Sequence, residues 1–139
     1  MLVIAPSLSS ARASDLVPLD EYIIENNTSD KGSAVYLFLR CAAQLTYVSM
    51  LMEGRAPEKA KMLIGRSEEL LATASELKVE LSNVPLDRAM ALNLTAIQKL
   101  MKHHTESGNN NYLKTGSYFS DADWTNINVC SKLVGASVE

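Results

Sequence analysis

Glycine and proline are scarce in this chain, six and four residues of 139. They stand between long stretches of alanine, leucine, methionine, lysine and glutamate, which leaves a mostly helical reading. Cysteine is scarcer still, with two residues 89 positions apart, so neither a C-x-x-C redox pair nor a four-cysteine zinc site can be built. The chain lacks the C-x-x-C-H of haem attachment and the repeated E-x-x-H of di-iron bundles, so cofactors of those kinds are not expected. No G-x-S-x-G elbow or phosphate-binding glycine loop supports a catalytic serine or a nucleotide. The formal net charge is −3, and the 13 basic residues are scattered without an aromatic-basic patch, which disfavours nucleic acid as a partner. Internal repeats and low-complexity tracts are absent.

What is present is organised around Val35 to Met52, where 14 of 18 residues are apolar or aromatic. Leu37, Cys41, Leu45, Val48 and Met52 recur at steps of three and four and share one helical stripe, while Tyr36, Arg40, Gln44 and Tyr47 form a second beside it. A helix apolar nearly all round is buried in protein or in a bilayer. The marginal length and the arginine six residues in favour a buried core helix.

Before this helix, the first thirteen residues carry a short apolar start and end Ala11-Arg12-Ala13, a cleavage pattern that predicts export and a mature start at Ser14, although a charged leading region is missing. Asp15 to Glu25 reads as a short helix or docking arm. Asn26 to Gly32 reads as a polar linker, with Ser29 or Asp30 capping the central helix. Sequons occur at Asn26, Asn27 and Asn93 and carry little weight.

After it, Gly54 and Pro57 predict a tight connection, with glycine closing one helix and proline opening the next. Pro57 to Leu81 is the clearest amphipathic helix, and Gly65 within it suggests a close crossing with the central helix. Asn83 is read as the cap, and Pro85 as the first-turn residue, of a third helix that continues through Gly108 toward Gly116. Ser120 with Asp123 resembles a capping box and opens a short last helix bearing Trp124, Ile127, Cys130, Leu133 and Val134.

Candidate chemistry is sparse. Cys41 and Cys130 fall on apolar helix faces and are expected to form a disulfide, with free buried thiols as the alternative. His103 and His104 point about 100° apart on a helix, so a metal site would need Glu106, Asp121 or Asp123 as well, and no metal is expected. The paired glutamates Glu68-Glu69 and Glu76 with Glu80 read as a solvated face, and no catalytic residue is assigned. The stripe Tyr36, Arg40, Gln44 and Tyr47 is either a grip for a carboxylate of a ligand or partner, or an internal pairing of Arg40 with Asp121 or Asp123. The internal pair is favoured because buried charges are usually paired. Four of the eight aromatic residues, Tyr112, Tyr118, Phe119 and Trp124, lie close together beside polar turn residues, as a binding surface or as a cap on the core.

The expectation is an exported all-α domain over residues 14–139: a small antiparallel bundle of three long helices and a short C-terminal one, tied by one disulfide. Periplasmic or secreted location and noncatalytic binding of a protein partner, without a cofactor or a transmembrane segment in the mature chain, complete it. The competing class is a small-ligand carrier or an enzyme with its site inside the bundle around Arg40.

Overall fold

The computed structural model describes residues 16–133. The proposed cleavage after Ala13 and the helical placement of Val134 lie outside them. Five helices follow in order: α1 (Leu19–Glu25), α2 (Lys31–Met52), α3 (Pro57–Ser82), α4 (Leu86–Thr115) and α5 (Asp121–Leu133), with no strand among the described residues. Helix α2 packs on α3, α4 and α5, α3 packs on α4, and α1 lies against α5.

Helix α2 begins earlier than its apolar run suggests. Asp30 accepts a bond from the Ser33 amide at 3.2 Å, so Lys31 and Gly32 belong to the first turn and not to a linker. The helix is long and apolar enough to cross a membrane by length and composition, but 67% of its most apolar window is buried inside the protein. Small residues allow its close fit to α3. Thr46 and Ser67 hydroxyls meet at 2.8 Å, Ser67 also donates to the Ala42 carbonyl at 3.0 Å, and Ser49 donates to that of Ala60 at 2.9 Å.

Several boundary residues act differently from their sequence reading. Gly54 is not in the left-handed conformation of a closing glycine; the last turn of α2 runs on through Glu53 in right-handed geometry. Asn83 does not cap the third long helix from its front. It closes α3 from behind at φ 56°, and Pro85 stands just ahead of the first turn of α4. Asn93 is buried and donates to Ser75 at 3.1 Å, which excludes its sequon from use in the folded chain. The Ser120-Asp123 box forms in both directions, the Ser120 amide donating to the carboxylate at 2.8 Å and the Asp123 amide to the hydroxyl at 3.2 Å.

The close-crossing glycine is Gly108, not Gly65. A Cβ on Gly65 would meet nothing within 4 Å, whereas one on Gly108 would lie 1.8 Å from the Tyr47 hydroxyl and 3.3 Å from the Tyr118 carbonyl. Tyr47 is buried and its hydroxyl donates to that same carbonyl at 3.1 Å, so it has nowhere to move. Alanine is therefore expected to act in opposite directions at the two sites. Gly65→Ala should stabilise by about 1 kcal/mol through helix propensity, and Gly108→Ala should destabilise by about 2 kcal/mol because overpacking outweighs the same gain. Denaturant midpoints check this, and Tyr47→Phe should rescue part of the loss in the Gly108→Ala background.

The Cys41–Cys130 disulfide forms, with Cα atoms 5.4 Å apart and both residues fully buried. It joins the middle of α2 to the far end of α5. Such a bond fits an oxidising compartment.

Candidate functional site

The polar stripe on α2 turns inward and becomes a scaffold. Gln44, fully buried, donates to Asp123 at 3.2 Å and accepts from Asn126 at 3.1 Å, and Asn126 in turn accepts the Leu19 amide at 2.9 Å. That chain of bonds ties α2, α5 and α1 together. One Asp123 oxygen accepts from Gln44 and the other from the Ser120 amide and hydroxyl, so the carboxylate is engaged with α2 and with the cap of its own helix.

The expected pairing of Arg40 with Asp121 or Asp123 does not form. Arg40, only 1% exposed, donates to the Val17 carbonyl at 2.7 Å and to the Tyr36 hydroxyl at 3.3 Å, with its guanidinium 5.7 Å from the Tyr36 ring centre. Its Nε has no partner. The one ion pair among the described residues, Lys31 with Glu80, lies elsewhere and half exposed. Arg40 thus tethers the segment ahead of α1 through a charge-assisted bond to backbone. Arg40→Met removes that tether together with a desolvated charge, and strands no carboxylate. The expected change in stability is under about 2 kcal/mol, against the 3–5 kcal/mol of a broken buried pair; chemical denaturation decides between them.

Tyr47 and His104 continue the buried line. Their rings stack with centres 5.5 Å apart, and the Nε2 of His104 has no hydrogen-bond partner. Burial pushes His104 down from the usual 6.5 to about 4, against the opposing pull of Asp123 and with help from Arg40 and His103. Burial first, then Asp123 and Tyr118, pushes Tyr47 up to about 12. Both side chains are neutral at pH 7.

The aromatic cluster divides in two. Tyr112 and Tyr118 stack on each other at 4.4 Å, one on α4 and one on the connection that follows. Gly116, at φ 81°, ends α4, and the Asn111 amide then donates to the Ser117 and Phe119 carbonyls at 2.8 and 3.0 Å. The polar asparagine run thus shapes the turn that projects Phe119 between Tyr47, 6.3 Å away, and Trp124, 5.1 Å away. Phe119 is a wall, with the buried polar line on one side and an open cleft on the other.

That cleft has a volume of about 450 Å³, inside the range of roughly 300–1,000 Å³ typical of small-molecule sites. Its floor is Leu45, Val48 and Met52 of α2, the outer end of the stripe read from sequence as pure core. Helix α3 supplies Met62 and Leu63, and Phe119, Trp124, Ile127 and Ser131 close the opposite side. Trp124 is 58% exposed and Met62 45%, high for such large apolar groups. Arg55, Lys59 and Arg66 complete the lining, which among the described residues includes no carboxylate, and none of the three forms an ion pair with a described residue.

Of the residues singled out from sequence, Phe119 and Trp124 line the cleft; Tyr36, Arg40, Gln44, Tyr47, Tyr112 and Tyr118 do not. The cations were hidden in a helix face read as solvated. A signal was present nonetheless, since Lys59, Met62, Leu63 and Arg66 recur at helical spacing just after Arg55, with Glu58 and Glu69 flanking the same stripe. Comparison with protein-family models, with curated proteins and with solved structures finds no match in any of the three.

Proposed function

We propose that this chain is a noncatalytic binding protein of an exported, oxidising setting, and that the cleft between α2, α3 and α5 is its ligand site. The observation that carries this reading is the juxtaposition of an apolar floor with Trp124 and Met62 left exposed at the rim. Exposed apolar area of this kind is unfavourable in water unless something covers it. Two methionines, Met52 and Met62, add side chains that adapt to the shape of an occupant.

The size of the cleft favours a small molecule over the helical segment of a protein partner, which needs a groove spanning several turns. The buried Arg40 region supports a structural role, because its polar groups are largely spent on the scaffold.

Titration of the oxidised chain with a neutral apolar dye such as Nile red tests the site. Saturable binding of one dye per chain is expected, with Trp124, the single tryptophan, quenched in step. Ser131→Phe places bulk into the cleft from an exposed position and should abolish it. Dye binding that does not saturate, or that survives Ser131→Phe unchanged, would rule the cleft out.

A further inference from the structure

Charge and shape in the cleft are arranged asymmetrically. The α3 side of its rim carries Arg55, Lys59 and Arg66, one above another along the helix and its lead-in turn, while the floor and the opposite wall are almost entirely apolar. In a chain of net charge −3, three cations gathered on a lining that has no carboxylate among the described residues run against the overall balance. Cations beside an apolar floor, with no ion-pair partner among the described residues, complement a ligand with an anionic head and an apolar tail. We propose that the cleft binds a free single-chain anionic amphiphile, its tail on Leu45, Val48 and Ile127 and its head group held by Arg55, Lys59 and Arg66.

This inference rests on the cleft being the ligand site, and adds to it the class of ligand. A volume near the low end of the small-molecule range suits one acyl chain and not the paired chains of a bilayer lipid. Arg55 and Lys59 are exposed and Arg66 is half-buried, so the head group would remain at the rim and in contact with water. Electrostatic selection at such a rim is screened by salt, whereas tail burial is not.

The test uses the full oxidised chain and the fluorescence of Trp124, with dodecanoate below its micellar concentration against dodecanol, which has the same chain and no charge. Dodecanoate is expected to bind with one-to-one saturation and at least about tenfold more tightly than the alcohol, a preference that shrinks as salt is raised. In the triple variant Arg55→Gln, Lys59→Gln, Arg66→Gln the two ligands should bind equally. The salt dependence in the unaltered chain supplies the same information if that variant folds poorly.

Equal affinity for acid and alcohol in the unaltered chain would overturn the anionic selection and leave the cleft as a neutral apolar site. Failure of both to bind, along with the dye, would overturn the site itself. Binding to vesicles containing phosphatidylglycerol without binding of free dodecanoate would assign the surface to a membrane and overturn the proposal.

Discussion

Reduction of the Cys41–Cys130 bond is expected to cost about 4–5 kcal/mol of stability, the largest single effect in the molecule, because the bond closes a loop 89 residues long. In the chain-entropy account that cost arises in the unfolded state, which regains the freedom the crosslink had removed. The consequence in the folded state is local. Helix α5 is shorter than α3 and α4, and beyond the disulfide and the packing of Val129 its bonds to other helices are Gln44 with Asp123, Gln44 with Asn126, and Asn126 with Leu19. It also carries Trp124, Ile127 and Ser131, which with Phe119 form one side of the cleft. Cys41→Ala with Cys130→Ala should therefore lower the denaturant midpoint steeply and weaken ligand binding together. Both sulfurs are fully buried, so alkylation of the native protein without reductant should modify neither. Rapid labelling of both thiols in the native, air-exposed protein, or an unchanged midpoint in the double variant, would contradict the bond's role.

Acid is expected to destabilise the fold through His104, by roughly 3 kcal/mol between neutral pH and pH 4. The sign follows from where the proton binds first. An unfolded histidine takes up its proton near 6.5, whereas in the folded protein burial delays protonation of His104 to about 4. Between those values the unfolded state holds the extra proton, and stability falls as pH falls by about 1.4 kcal/mol per unit. Above 6.5 both states are neutral at this position, and below 4 both are charged, so the effect is confined to that window. His104→Phe preserves a ring against Tyr47 and removes the titration. Every other titratable group is common to both proteins, so the difference between their two stability profiles isolates His104. Parallel profiles from pH 7 to 4, or titration near 6.5 in the folded protein of the one imidazole resonance that is lost in His104→Phe, would show that the ring is accessible to protons.

Sequence by itself determined what depends on local periodicity and chemical type. The core position of α2 follows from 14 apolar residues in 18, because no amphipathic arrangement can expose so many. The amphipathic α3, the passage of α4 through Gly108 and the capping box at Ser120 and Asp123 were legible for the same reason, each being a spacing on a helix or a local bond, and the pairing of Cys41 with Cys130 was legible because two cysteines on apolar faces allow one pairing. Tertiary structure decided how those helices meet. Gly65 and Gly108 are equivalent as helical glycines in sequence, and only the placement of Tyr47 against α4 makes one indispensable and the other free. A buried charge usually has a carboxylate partner, yet Asp123 bonds to Gln44 and to the helix cap, and the Arg40 guanidinium reaches a backbone carbonyl 23 residues away. The cleft is the most distant from any local pattern. Its lining is drawn from three helices and the segments beside them, which bring the outer part of a core stripe next to Phe119 and next to cations of α3 and its lead-in turn. Periodicity fixes which side of a helix faces inward; the separation between helices, and so whether that side meets protein or a ligand, is set by the packing of every side chain at once.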